Sequence, residues 1–304
     1  MESTEITVGI QVRFNSTVIL LYDLLMNVFG LFLRLRDSLF FRTAKAISNS
    51  RWGKSKTFQN EEQQNLLFED IGLDRNSGIK HLNKTLASLG RSAYSEMSGM
   101  WSEHLVLFAT LAISTKKVSR ILEIGTFRGE TTMILSKLFP QATITTLDLP
   151  FEEFTTLGLY EKSSGKESFS VIKSRRDNLD SCSNVVELAT SSVALTRESG
   201  SYDLIWVDGA HGYPVVAIDI LNAYRLINED GLVACDDVYL YRNGGDNMYF
   251  SKASLEVLKE LQENNLVHLT LLLKRINIRF NYWKRDQKRL GVFSNKAVIP
   301  PNLI

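Results

Sequence analysis

Two short segments gather the side chains best suited to move a proton or to hold a hard cation. Trp206-Val-Asp208-Gly-Ala-His211-Gly-Tyr213 closes one apolar run, and Cys235-Asp236-Asp237-Val238 closes another. Carboxylate oxygens suit Mg²⁺ or a similar divalent ion and leave positions open for water and substrate. Asp208, Asp236 and Asp237 are therefore candidate metal ligands. Adjacent like charges with no basic residue beside them in sequence repel unless a cation or a proton joins them, and a metal would remove that repulsion. His211 lies three residues beyond Asp208, near enough to reach an oxygen on the same ion. An imidazole with an ordinary pKa of about 6.5 suits proton abstraction near neutrality. Plainer readings exist: Asp208 as a helix N-cap, the aspartate pair as a solvated strand end, His211 as a metal ligand or a packed or surface histidine.

Upstream, Glu123-Ile-Gly125-Thr126-Phe-Arg-Gly129 reads acid-x-Gly-x-x-x-Gly. Gly125 would let the backbone approach a ligand closely, and Gly129 would open a helix without a Cβ clash. Asp148 ends the next apolar run, where a carboxylate can accept both hydroxyls of a ribose. This geometry suits an adenosyl cofactor. A nicotinamide-dependent dehydrogenase would instead show Gly-x-Gly-x-x-Gly, because a diphosphate needs more bare amides at the helix start.

Ile121-Leu-Glu-Ile-Gly-Thr-Phe-Arg-Gly129 followed by Thr146-Leu-Asp148 resembles motifs I and post-I of the class I S-adenosylmethionine (SAM)-dependent methyltransferases, and the resemblance runs from Trp101 to Asn295. It implies that Glu123, Gly125, Thr126 and Gly129 hold the methionine part and adenosine, that Asp148 holds the ribose, and that Asp208 also borders the cofactor. The acidic segments are similar to those of the metal-dependent O-methyltransferase branch that includes macrocin-type sugar methyltransferases. That similarity implies Mg²⁺ or another divalent cation on Asp208, Asp236 and Asp237, with His211 taking the proton. The implied activity is metal-assisted O-methylation of a hydroxyl on a small molecule or saccharide. One departure is Ala189-Thr-Ser-Ser192, where relatives often carry an acid near the adenine. A catalytically degenerate scaffold and a membrane-associated binding protein are the alternatives, and the retained acids argue against both.

These residues need elements that place them together. Apolar runs at Arg120–Gly125, Ala142–Asp148, Val185–Leu188, Tyr202–Val207 and Leu232–Cys235 alternate with helical patterns at Glu130–Phe139 and Val215–Ile227. The alternation predicts an α/β fold with a Rossmann-like, doubly wound, mostly parallel sheet, in which ligands bind beyond the strand carboxyl ends. Leu266–Lys274 and Leu290–Ser294 predict a C-terminal antiparallel hairpin. Met97–Ile113 reads as a helix leading into the first strand, Glu61–Leu89 as helical, and Asn49–Lys56, with Gly53, as a linker. The segment Pro150–Asn184 is longer than a plain crossover needs, which suggests a lid or substrate loop. Tyr239, Tyr241, Arg242 and Asn243 are candidates for an acceptor pocket. The expected organisation is an apolar helix and linker over 1–60, a helical lead-in over 61–100 and a methyltransferase domain over 101–304.

The 304 residues carry 35 Lys and Arg against 34 Asp and Glu, a formal net charge of +1. That balance gives no electrostatic footprint for nucleic acid. Cys182 and Cys235 have neither metal-site spacing nor a disulfide framework, which suits a reducing cytoplasm. Val18–Leu33 is mostly apolar but is interrupted by Asp23 and Asn27 and followed by arginines, too short and polar for a span. Glu2 and Glu5 precede it in place of a positive n-region, which argues against a signal peptide. It is expected to be a packing or homo-oligomerisation helix, or a peripheral membrane contact through residues 18–45.

Overall fold

The computed structural model describes residues 42–43, 45–150, 165–241, 247, 250–277 and 288–295. The apolar run at 18–33, Arg242, Asn243 and the first part of the 150–184 segment lie outside the described residues. Among the described residues no helix is long and apolar enough to cross a membrane.

The parallel core forms where the alternation expects it. Strands β1 (Arg120–Ile124), β2 (Thr143–Asp148), β3 (Val185–Ala189), β4 (Tyr202–Val207) and β5 (Ile227–Tyr239) are parallel. Helices α4 (Glu130–Leu138), α5 (Gly165–Leu179) and α6 (Val215–Leu226) connect them. After α7 (Ala253–Glu263), β6 (His268–Leu273) and β7 (Lys288–Ser294) form the antiparallel hairpin. The sheet order is β3-β2-β1-β4-β5-β7-β6, so β7 slots antiparallel against β5 and leaves β6 on the edge. The fold is thus a Rossmann-like, mostly parallel seven-stranded sheet with a C-terminal hairpin and N-terminal helices.

Period-two alternation divides the core into two layers. Ile121, Ile144, Leu204 and Trp206 pack under helices α1 (Arg51–Asp70), α2 (Arg75–Ser88), α3 (Glu103–Ala112) and α4. Leu122, Ile124, Ile205, Val207 and Val233 face α6 and α7.

The N-terminal helices differ from the sequence expectation in three places. The 49–56 stretch is no linker: Ser50 caps α1, its hydroxyl accepting from Gly53 N at 3.0 Å, and Gly53 is buried where a Cβ would lie 2.1 Å from Ile47 O. A small polar residue before a helix serves as a cap as readily as a break, and here it is a cap. The helical pattern at 61–89 is two helices, separated at Gly72 with φ +76° and restarted by Asp74, which caps Asn76 N and Ser77 N. The helix expected from Met97 begins only at Glu103.

Glu103 is the hub of this layer. It is fully buried and takes both arms of the Arg75 guanidinium, at 2.7 and 3.0 Å, together with the Gln64 amide at 3.2 Å and the Tyr94 hydroxyl at 3.2 Å. Gln64 in turn holds the end of β6, accepting from Leu273 N at 2.8 Å and donating to Leu273 O at 3.0 Å. Removing one partner of a buried pair strands the other. Glu103→Ala should therefore lower the unfolding free energy by about 3–5 kcal/mol, measured by urea denaturation. A loss below about 1 kcal/mol, the range of an exposed pair, would show that water reaches Arg75.

Candidate active site

Register sets the site. Ile124 pairs with Leu147 on one side and Val207 on the other, and Val207 pairs with Cys235. The next residues, Gly125, Asp148, Asp208 and Asp236, therefore leave four neighbouring strands at one edge, the carboxyl edge.

The β1–α4 turn runs through three left-handed positions, Gly125 (φ +104°), Phe127 (φ +46°) and Gly129 (φ +69°). Phe127 is the costly one, since a bulky residue rarely adopts that conformation. Both of its peptide groups are pinned: Phe127 N donates to Asp148 Oδ2 at 2.8 Å, and Phe127 O accepts from Arg175 Nε at 2.6 Å. Arg175 of α5 closes the triangle with Asp148 at 2.7 Å. Burial raises the Asp148 pKa, and Arg175 opposes the rise. Its other oxygen, Oδ1, accepts from Leu149 N at 2.9 Å.

Gly125 is needed for a different reason from the one the sequence suggests. A Cβ there would lie 2.2 Å from Asp208 O and 2.7 Å from Asp208 C, so the space belongs to the chain's own β4–α6 loop and not to a ligand. Gly129 caps α4, its absent Cβ closely bordered by Leu179. Thr126 is buried, and its hydroxyl meets Thr146 Oγ1 at 2.7 Å, which ties the turn to β2.

Glu123, flanked in the sheet by Thr146 and Trp206, is fully buried. Its Oε2 accepts from Thr132 Oγ1 at 2.5 Å and Thr146 Oγ1 at 2.7 Å, while Oε1 has no protein partner. Burial pushes its pKa up to about 7 against these two hydrogen bonds. The unpartnered oxygen beneath the turn, and the Asp148 carboxylate fixed over it, fit a nucleoside-bearing ligand with hydroxyl and amino donors.

The three aspartates are brought together, but not as a bare acidic cluster. Between the pairs Cys235–Gly291 and Val238–Arg289, β5 spends one residue more than β7. The bulge, with Asp237 at φ +48°, re-aims side chains that would otherwise alternate. Both carboxylates then meet one ammonium: Lys274 Nζ donates to Asp236 Oδ2 at 2.6 Å and also to Asp237. Lys288 Nζ donates to Asp237 Oδ2 at 2.5 Å. Burial alone would raise the Asp236 pKa, yet Lys274 beside it holds the carboxyl well below the usual range. Burial would likewise lower the Lys274 pKa, but the aspartates hold it above its ordinary value. The Asp208 carboxyl is pushed well up by burial and by the neighbouring Asp236 charge.

The repulsion that seemed to require a metal is thus relieved by two lysines remote in sequence. Among the described residues no group of three or more His, Cys, Asp or Glu side chains is arranged to hold a metal ion. A divalent ion does not fit the site as these side chains stand, because ammonium groups already occupy the facing oxygens of Asp236 and Asp237.

His211 is buried, with Nε2 3.9 Å from Asp208 Oδ1. Its pKa is lowered, first by burial and further by Lys274 and Lys288, while Asp237 and Asp236 oppose the shift. The base form is therefore favoured by burial and lysines where a metal was expected to do that work. The N-cap reading of Asp208 falls away, since α6 begins at Val215 after Pro214. Tyr239 is buried and Tyr241 exposed.

Sequence reasoning missed Lys274, Lys288, Arg175 and His104. His104 is buried, stacks on Trp206 at 5.1 Å between ring centroids and shares a 2.7 Å hydrogen bond with Ser102 Oγ. Burial brings its pKa down to about 4. Lys274 had a signal: it is the last residue of the predicted strand Leu266–Lys274, and the end of a strand is also what made Asp148 a candidate.

Residues 122–238 match the family model described as a methyltransferase domain. This segment runs from β1 into β5. No curated protein matches the chain. Among solved structures, the S-adenosylhomocysteine-bound methyltransferase PaMTH1 of Podospora anserina is 17% identical, covering 73% of this chain and 88% of its own, with a TM-score of 0.43. The O-methyltransferase TomG of Streptomyces achromogenes, involved in tomaymycin synthesis and solved with SAM, is 15% identical, covering 78% of this chain and 98% of its own, also at 0.43.

The Glu123 carboxyl gives a pH signature. Its ordinary pKa is 4.5 and its folded value about 7, so the folded chain binds this proton more tightly than the unfolded one. The stability it contributes is fully present below about pH 4.5 and is lost as pH rises through about 7. Glu123→Gln should flatten the fall in stability between pH 5 and 8, read from urea midpoints. An unchanged slope would mean that Glu123 folds as the carboxylate.

Proposed function

We propose that the protein is a SAM-dependent methyltransferase that transfers the methyl group to a hydroxyl oxygen of a small molecule or saccharide. The observation that carries this reading is the placement of a neutral, buried imidazole, His211, beside Asp208, on the same strand edge as the Glu123–Gly129 turn and Asp148. The turn and Asp148 would hold the nucleoside, and Glu123 Oε1, without a protein partner, would accept from the ligand's remaining donors.

SAM, when bound, supplies an electrophilic methyl whose bond to sulfur breaks with the electron pair left on sulfur. The chain's residues then have two tasks, to position the acceptor oxygen in line and to take its proton. His211 Nε2 receives that proton as the oxygen–carbon bond forms, becoming an imidazolium. Asp237 and Asp236 favour that cation, so the charge created at His211 meets negative neighbours. Lys274, whose charge is felt at His211, would set a fixed positive charge near the acceptor oxygen. The edge thus carries a proton acceptor and a fixed positive charge within one cluster, an arrangement suited to deprotonating a hydroxyl.

Two outcomes are expected. Calorimetry should show binding of SAM and of S-adenosylhomocysteine, and Asp148→Ala should weaken it about 10- to 100-fold, the loss of hydrogen bonds to a charged group. No heat of binding with either ligand would remove the cofactor assignment. His211→Ala should lower kcat about 10²- to 10⁴-fold for any hydroxylated acceptor found by transfer of labelled methyl, with SAM affinity retained. An unaltered kcat would assign His211 a packing role.

A further inference from the structure

We infer that the Lys274 ammonium is the resident cation of the acidic cluster, taking the place that a divalent metal would need, and that one of its N–H groups serves the acceptor oxygen. The inference rests on the methyl-transfer reading for what the site is used for, but the occupancy of the cluster by lysine does not depend on it.

Lys274 is held firmly in place by hydrogen bonds to the backbone on either side of it. A lysine on a mobile loop could swing aside for an ion. Here the backbone on both sides is fixed by the N-terminal helices and the segment after them. Gln64 holds Leu273 through both of its peptide groups, and Glu103 N donates to Lys274 O at 3.1 Å. Glu96 accepts from Ile276 N at 2.6 Å and Asn277 N at 2.9 Å, and Asn60 Nδ2 donates to Ile276 O at 2.8 Å. Gln64 and Glu103 are themselves fully buried. The side chain then has one direction to run, and it ends between the two carboxylates that the β5 bulge turns toward it.

Charge closes the argument. Lys274 and Lys288 bring two positive charges to Asp236 and Asp237, and Asp208 is the neighbouring third acid. A divalent ion entering the same oxygens would have to displace a buried ammonium from two ion pairs and leave it beside the incoming double charge. An ammonium carries three donors. Two of them point to Asp236 and Asp237, and the third can meet an acceptor oxygen as it becomes negative. That supplies, with one charge and a directed hydrogen bond, the oxyanion stabilisation for which metal-assisted enzymes use a Lewis acid.

The test is Mn²⁺ alone, titrated into the purified full chain and read by electron paramagnetic resonance. The wild type should show no saturable binding up to millimolar Mn²⁺. Lys274→Gln keeps a polar side chain one bond shorter and removes its charge, and should bind Mn²⁺ at least about tenfold more tightly by freeing the carboxylates. Saturable micromolar binding to the wild type, lost in Asp236→Asn, would overturn the inference. Should Lys274→Gln fail to fold, the wild-type titration decides alone. SAM calorimetry on the same sample separates the two failures: Mn²⁺ binding with normal SAM binding sinks only the lysine, and absent SAM binding without Mn²⁺ binding sinks only the methyltransferase reading.

Discussion

A buried ammonium shared by two carboxylates is the constraint around which this molecule is arranged. Removing ions from water costs several kcal/mol apiece, and their attraction offsets that only when geometry is good and the remaining donors and acceptors are met. Three unrelated parts of the chain must therefore agree to within a hydrogen-bond length. The β5 bulge presents Asp236 and Asp237 on one side, the end of β6 delivers Lys274, and the first residue of β7 delivers Lys288. The antiparallel insertion of β7 between β5 and β6 is what makes the agreement possible. It sets the start of β7 against the end of β5, with the end of β6 alongside.

The cofactor end of the edge is joined to this cluster through backbone, not through side chains. Gly125 lies so close to the Asp208–Gly209 peptide that no Cβ fits between them, and Asp208 N donates to Ile124 O at 2.8 Å. A shift in the β1–α4 turn must therefore move the loop that carries Asp208 and His211. The turn is itself under strain at Phe127, relieved by Asp148 and Arg175. The Asp148 carboxylate thus also bears on the geometry of the loop that carries Asp208 and His211.

How much of this could be read beforehand divides along physical lines. The strands from β1 to β4 and the residues at their carboxyl ends were legible, because short apolar runs and the acids that follow them are contiguous signals. Asp148, Asp208 and Asp236 leave their strands at one edge of the sheet, as the alternation implied, and Asp237 follows on the β5 bulge. What escaped was long-range or cap-dependent. Lys274 and Lys288 neutralise acids 37 and 51 positions away, so a search for bases beside Asp236 in sequence could not see them. The bulge at Asp236–Asp237 has no local signature, since Asp tolerates a left-handed conformation without a glycine to announce it. Ser50 and Gly53 looked like a linker because small polar residues serve breaks and caps alike, and only the buried contact with Ile47 decides between them. Gly125 was assigned to a ligand for the same reason: the sequence shows that a Cβ is missing but not which atom lies where it would be.

The division also explains why the charge of the site and its chemistry come from different parts of the chain. The segment that matches a methyltransferase domain ends at Val238, and it holds the turn, Asp148, Asp208, His211 and the aspartate pair. Their counter-charges come from the hairpin beyond it, and the grip on that hairpin comes from Asn60, Gln64, Glu96 and Glu103, all before it. The helical lead-in thereby sets the position of a charge at the carboxyl edge of the sheet. Buried Glu103 shows how directly: its carboxylate closes the Arg75 network while its own backbone N–H holds the carbonyl of Lys274. Stability of the N-terminal layer and the placement of the Lys274 charge are therefore coupled through the side chain and the backbone of a single residue.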